Sequence, residues 1–101
     1  NIMTRIYLRE WQGPLGTEGK DICFAANTEN KWHISESSWG PVGEAIYGRW
    51  DNEEWLDIPE GSKNAVAEIT LGFAFRGEKM TLGSLERELK ARGAEYKTGA
   101  Y

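Results

Sequence analysis

The feature that most constrains the fold is an alternation of residue types between residues 64 and 76. Apolar side chains occupy every odd position of this segment: Ala65, Ala67, Ile69, Leu71, Phe73 and Phe75. Successive side chains of a β-strand point to opposite faces of a sheet, so this spacing is typical of a strand. The pattern predicts one long central strand over 64–76 with its odd-numbered face on the core.

Shorter segments predict further strands around it. Residues 4–11 alternate in type, with Ile6 and Leu8 on one face. Short apolar or aromatic runs over 21–26 and 31–35 predict two more strands, and the glycine-rich stretch 13–19 predicts a hairpin loop. Residues 42–50 contain two glycines, which weaken a helix, and several aromatic and β-branched residues. We therefore expect a strand there too.

One helix is predicted near the C-terminus. Thr81 is a suitable N-cap, and Met80 with Leu85 has the spacing of a hydrophobic staple. Apolar residues at helical spacing follow, namely Leu82, Leu85 and Leu89. Gly93 stands where a left-handed C-terminal cap is expected, and residues 94–96 could add an edge strand. The elements predict an α+β fold, an antiparallel β-sheet with one C-terminal helix packed on one face, in a single domain over 1–101.

Composition excludes several classes of protein. The formal net charge of −4 argues against a nucleic-acid binder, and no apolar run approaches the length of a membrane helix. A single cysteine, Cys23, excludes an intrachain disulfide, and no signal-peptide apolar region is present at the N-terminus. We expect a cytoplasmic location, and Met3 as the natural start of the chain.

The middle of the chain is strongly acidic. Residues 41–70 carry seven acids and two bases, and five of those acids lie within the eleven residues 50–60 together with two tryptophans. Carboxylates attract cationic surfaces, and tryptophan is enriched at the energetic centres of protein interfaces. We predict a docking surface for a basic protein partner, formed by Trp50, Asp51, Glu53, Glu54, Trp55 and Asp57.

Sites for chemistry are weaker candidates. His33 is the only histidine and the natural general base, with Glu36, Ser37 and Ser38 nearby in sequence, but neighbours on a strand point to opposite faces. We expect a surface or half-buried strand histidine. Cys23 lies between Ile22 and Phe24, where an apolar setting would make the thiol inert. No metal-ligand or phosphate-loop spacing occurs, so we expect no metal and no cofactor.

In size, acidity and possession of the run 50–60, the chain resembles the small immunity proteins of bacterial toxin systems, of the colicin or contact-dependent growth inhibition type. The resemblance is one of type and composition, without a diagnostic motif. It implies a protein that is not an enzyme and that binds and blocks a basic, nuclease-type toxin domain. Asp51, Glu53, Glu54 and Asp57 would then supply charge, with Trp50 and Trp55 as anchors.

Two other functions remain open. Five tryptophans and four tyrosines are many for 101 residues, and exposed rings could stack on a carbohydrate or another small ligand. We expect at least two tryptophans to be partly exposed, above all Trp50 and Trp55. A small enzyme using His33 with a nearby acid or Tyr47 is the third alternative.

Overall fold

The computed structural model describes residues 4–13 and 18–101, and these residues form an α+β fold, as predicted. The chain order is β1 (Thr4–Gln12), β2 (Gly19–Ala26), β3 (Trp32–Trp39), α1 (Pro41–Tyr47), β4 (Asp51–Ile58), a short 3₁₀ helix (Glu60–Ser62), α2 (Lys63–Arg76), α3 (Leu82–Ala91) and β5 (Lys97–Ala100). Met3 and most of the predicted loop 13–19 lie outside the described residues.

The strands form one antiparallel sheet in the order β1-β2-β3-β4-β5, so each strand pairs with the next in the chain. The β2–β3 turn is built by Asn27, whose side-chain oxygen accepts the backbone N–H of Glu29 and of Lys31. Asn30 completes the turn at a positive φ of 57°, a conformation that asparagine tolerates better than most residues.

The core lies between one face of the sheet and the helices α2 and α3. Its sheet side consists of alternate residues of the three inner strands: Ile22, Ile34, Leu56 and Ile58. Its helix side consists of Val66, Ile69, Phe73, Met80, Leu82, Leu85 and Leu89. Because strand side chains alternate, the residues between these sheet positions point to the other face.

The predicted central strand over 64–76 is wrong, because this segment is the helix α2. Its buried residues include Val66, Ile69 and Phe73, which recur at helical spacing, whereas Leu71 is 55% exposed and Phe75 is 88% exposed. Apolar residues occur on all sides of α2, so the odd-position pattern is coincidental. Alanine, glutamate and leucine favour the helix, and burial of one stripe against the sheet selects it.

The predicted strand over 42–50 is also wrong, since Pro41–Tyr47 form the helix α1. Pro41 occupies its first turn, and Gly48 ends it in the left-handed conformation with φ of 76°. Proline at the start and glycine just past the end are typical helix boundary signals. The described part of the chain therefore contains three α-helices rather than the one predicted.

The C-terminal helix is confirmed as α3. The Thr81 side chain accepts the backbone N–H of Ser84, and the Ser84 hydroxyl oxygen accepts the backbone N–H of Thr81. Leu85 and Leu89 are fully buried, and Gly93 has the predicted left-handed conformation with φ of 69°. The final strand comes later than predicted, at Lys97–Ala100 rather than 94–96.

Two details of the early strands differ from prediction. The register of β1 against β2 shifts between Tyr7 and Arg9, a bulge that ends the simple alternation predicted over 4–11. β3 continues to Trp39, beyond the predicted end at Ser35, and β2 begins at Gly19. Among the described residues, no helix has the length and apolar character needed to cross a membrane.

Candidate functional site

The sheet face that points away from the helices α2 and α3 gathers the candidate functional residues. Strand register places one row across this face from Arg5 through Ala25, His33 and Asp57 to Lys97, and the next row from Tyr7 to Gly99. We call it the open sheet face, and its further members are Asp21, Cys23, Ser35, Ser37, Trp39, Asp51, Glu53 and Trp55. A shallow cavity of about 320 Å³ lies on it beside His33.

Acidic residues outnumber bases on the described part of the open sheet face. Three carboxylates come from alternate positions of one strand, β4: Asp51, Glu53 and Asp57. Asp21 of β2 is a fourth, and the described bases on this face are Arg5 and Lys97. Because β4 is a strand, alternate carboxylates of the acidic run lie on the same face of the sheet and make that face negative. A solvated loop would not align them in this way.

His33 sits among these carboxylates at the middle of the sheet. Its Nδ1 lies 2.8 Å from Asp57 Oδ1, so the ring N–H donates to that carboxylate. Its Nε2 lies 3.9 Å from Glu53 Oε1. The prediction of a half-buried strand histidine is confirmed, but its partner is Asp57 from the neighbouring strand. Glu36 and Ser38 lie at alternate positions of β3, on the opposite face.

Two tryptophans lie over glycines of neighbouring strands. A Cβ added to Gly99 would come within 2.3 Å of Trp55 Cε2, and one added to Gly19 within 2.1 Å of Trp39 Cζ2. Each ring therefore occupies the space above a residue that has no side chain. The ring centroids of Trp55 and His33 are 5.8 Å apart. The indoles are half-buried, and packing on the sheet holds them in place.

The structure divides the six residues of the predicted docking surface. Asp51, Glu53, Trp55 and Asp57 share the open sheet face, because they occupy alternate positions of β4. Glu54 points to the opposite face, where it borders a second cavity with Lys20 and Arg49. Trp50 is 43% exposed but precedes the strand, and its carbonyl accepts the backbone N–H of Gly40.

Several residues of this face escaped the sequence prediction, among them Arg5, Tyr7, Asp21 and Trp39. The alternation of β1, β2 and β3 carries the signal that could have found them. Each strand taken alone says which residues share a face, but not which face is covered by helices. Tyr47, the alternative partner proposed for His33, lies on α1 and borders the second cavity instead.

Cys23 is buried on the open sheet face, between Tyr7 and Ser35 of the flanking strands. Burial raises the pKa of its thiol above the ordinary value for cysteine. The charge of Arg5 acts against this shift, and the carboxylates of Asp21 and Glu53 add to it. The predicted apolar setting is wrong, because Ile22 and Phe24 point to the opposite face of the sheet. The raised pKa nevertheless favours the predicted low reactivity of this thiol at neutral pH. Among the described residues, no cluster of three histidine, cysteine or acidic side chains has the arrangement of a metal site.

Comparisons of the chain with protein-family models, with curated proteins and with solved structures return no match.

Proposed function

We propose that the chain is a protein-binding inhibitor whose open sheet face docks on a basic partner protein. The observation that carries the proposal is the arrangement of Asp51, Glu53, Trp55 and Asp57, whose side chains share one face of the sheet. Carboxylates and an aromatic ring thus lie side by side on paired strands. Charge speeds association, and buried aromatic rings contribute much of the affinity of many interfaces.

The charge of this face supports a cationic partner. Four described carboxylates against two bases produce a negative potential that attracts a basic surface over a distance of several ångströms and speeds encounter. Glu53 and Asp57 are four residues apart in one strand, so their charges are spread over about 13 Å of the sheet. An acidic strand can thus occupy a basic groove.

The tryptophans support slow dissociation. Trp55 and Trp39 already rest on Gly99 and Gly19 in the free protein, so they lose little conformational freedom on binding. Large rigid rings near the centre of an interface contribute much of the affinity of many complexes. Trp39 joins Trp55 as an anchor in this proposal, whereas Trp50 and Glu54 lie away from the proposed centre.

The resemblance to immunity proteins suggests which class of basic partner the chain binds. A nuclease toxin domain is often basic because it binds phosphates, and its inhibitor acts in the cytoplasm of the bacterium that must be protected. The proposal extends to that partner class and to that location on the resemblance in size, acidity and the run 50–60. It assigns no chemical step to the chain.

The test is capture of partners from the native host at low salt, using the tagged wild-type chain and a matched pair of variants. In one variant, Glu53→Lys and Asp57→Lys reverse two charges of the open sheet face. In the control, Glu78→Lys and Glu88→Lys make the same change of net charge on exposed residues outside that face. A basic protein retained by the wild type and the control, but not by the first variant, supports the proposal. Equal retention by all three contradicts it.

A second candidate, a small enzyme, rests on the 2.8 Å contact between His33 and Asp57. A carboxylate that orients an imidazole is a common element of general-base catalysis. The variant His33→Ala distinguishes the two proposals. It removes the general base, so an enzyme would lose activity, but it leaves the carboxylates and tryptophans through which an inhibitor would bind its partner.

A further inference from the structure

A second site lies away from the centre of the open sheet face, in a cleft of about 810 Å³. The β2–β3 turn, the end of β4 with Pro59, the first residue of α2 and the segment after α3 surround it. Much of its wall is apolar or aromatic: Trp32, Ile58, Pro59, Ala94 and Tyr96. Its volume falls in the range of pockets that enclose small organic ligands.

Two aromatic rings line this cleft, and side-chain hydrogen bonds hold both of them in place. The Trp32 Nε1–H donates to Asn30 Oδ1 at 3.1 Å, and its ring meets Phe24 edge to face with centroids 4.9 Å apart. The Tyr96 hydroxyl donates to Glu86 Oε2 at 2.8 Å. Because the polar atoms of both residues are occupied, they present ring surface to the cleft, which suits a flat apolar ligand.

One buried ammonium group, that of Lys63, borders the same space. The Lys63 side chain is only 10% exposed, and its Nζ lies 5.2 Å from the centroid of the Trp32 ring. The Nζ donates to the carbonyl of Asn30 and lies 2.7 Å from Glu60 Oε2. A buried ammonium requires a counter-charge, and here it comes from a side chain that is 86% exposed. A ligand carboxylate can replace Glu60 at little cost in packing.

The charges around the rim disfavour a ligand that carries several negative charges. Glu29, Asp57, Glu60 and Glu95 all border the cleft, so a polyanion such as a nucleotide would be repelled. The bases at the rim are Lys31, which pairs with Glu29 at 3.1 Å, and Lys97. From the aromatic walls, the single buried ammonium and the acidic rim, we infer that the cleft binds a small aromatic monocarboxylate.

This inference stands independently of the proposed docking function. Asp57 and Lys97 border both the cleft and the open sheet face, so substitution of either residue cannot test ligand binding in the cleft separately. Three residues line the cleft without belonging to the open sheet face: Trp32, Glu60 and Lys63. Substitution of any of them leaves the carboxylates of β4 in place. Failure of the cleft to bind a carboxylate would leave the partner-capture result unaffected.

The test is titration of the ¹⁵N-labelled chain with 1-naphthoate, and with 1-naphthamide as a neutral ligand of the same shape. We expect saturable shifts of the Trp32 indole N–H signal, identified by its loss in Trp32→Phe. We expect the carboxylate to bind about tenfold more tightly than the amide, which is the typical effect of one charge-assisted contact. Equal affinities, or naphthoate shifts that do not saturate below about 10 mM, would overturn the inference.

Two variants locate the source of the preference. Glu60→Gln removes the competing carboxylate, so naphthoate should bind severalfold more tightly and naphthamide as before. Lys63→Met should abolish the difference between the two ligands, while Lys79→Met, at an exposed residue outside the cleft, should retain it. Since Lys63 is buried, Lys63→Met could fail to fold, and Glu60→Gln then decides alone. An unchanged naphthoate affinity in Glu60→Gln contradicts the inference.

Discussion

The indole ring of Trp55 in β4 covers Gly99 in the neighbouring strand β5, so closely that a Cβ at Gly99 would lie 2.3 Å from Trp55 Cε2. A glycine in a strand usually weakens it, but a large ring from the adjacent strand can cover the exposed backbone. The pair fixes the Trp55 indole on the open sheet face beside His33. The position of a proposed anchor therefore depends on a residue that has no side chain.

Gly99→Ala should displace the Trp55 ring and weaken partner binding. The methyl group cannot fit without movement of the ring, and such overpacking costs about 1–3 kcal/mol of unfolding free energy. Gly61→Ala is the matched control, because an added Cβ there meets nothing within 4 Å. Urea unfolding and the dissociation rate of the captured partner measure the two effects. Equal stability and equal binding in both variants would show that Trp55 is not held by Gly99.

Leu85→Ala should lower the free energy of unfolding by about 2–5 kcal/mol, because it leaves a cavity between α3 and the sheet. Leu85 is fully buried in the core. Leu71→Ala provides the contrast. As a residue on the exposed side of α2, Leu71 should change stability by only about 0.5 kcal/mol. If 64–76 were the central strand that its alternation predicts, Leu71→Ala would be as costly as Leu85→Ala in a urea melt.

The different outcomes at α3 and α2 show what local sequence can decide. The N-cap at Thr81, the stripe ending at Leu89 and Gly93 all lie in the one continuous segment 81–93, so α3 was predictable. In α2, apolar residues surround the helix, and only packing of Val66, Ile69 and Phe73 against the sheet selects the buried stripe. That selection is a long-range effect, which a local pattern does not contain.

In the candidate site, too, some features follow from the local sequence and others depend on long-range packing. The acidity and aromatic content of 50–58 were evident in the sequence, and alternation alone would have separated Glu54 from Glu53 once β4 was recognised as a strand. The contact of His33 with Asp57 depends on the register of β3 against β4, two strands that α1 separates in the chain. No strand is predicted from the sequence over 51–58, so the partner of His33 is not predicted either.

Cys23 should react slowly with a thiol reagent in the folded protein. Burial raises the pKa of its thiol, so less thiolate forms at a given pH than in an exposed cysteine. Because folding raises the pKa of Cys23, the protonated thiol stabilises the folded state below the unfolded-state pKa. This contribution to the free energy of unfolding is lost as pH rises through the folded-state pKa. Rates of reaction with a disulfide reagent between pH 7 and pH 10 measure how much accessible thiolate Cys23 forms. The reaction should be much faster in urea, and equal rates in both states would contradict the burial of Cys23.

His33→Ala should leave partner binding intact. The His33–Asp57 pair is partly exposed, so its loss should cost about 1 kcal/mol of stability or less. Removal of the imidazole leaves Asp57 and Glu53 free to face a basic partner, and association should be unchanged or slightly faster. A variant that folds normally but loses a biological activity of the chain would instead favour the enzyme.

The most direct test of the docking proposal is the association rate of the captured partner as a function of salt, measured for three proteins. For the wild type and the Glu78→Lys/Glu88→Lys control, we predict a steep fall in rate as the Debye length shrinks from about 30 Å to about 3 Å. For Glu53→Lys/Asp57→Lys, we predict a rate about tenfold lower at low salt and a much weaker salt dependence. Identical rates and salt dependences in all three proteins would contradict a role for the open sheet face in binding.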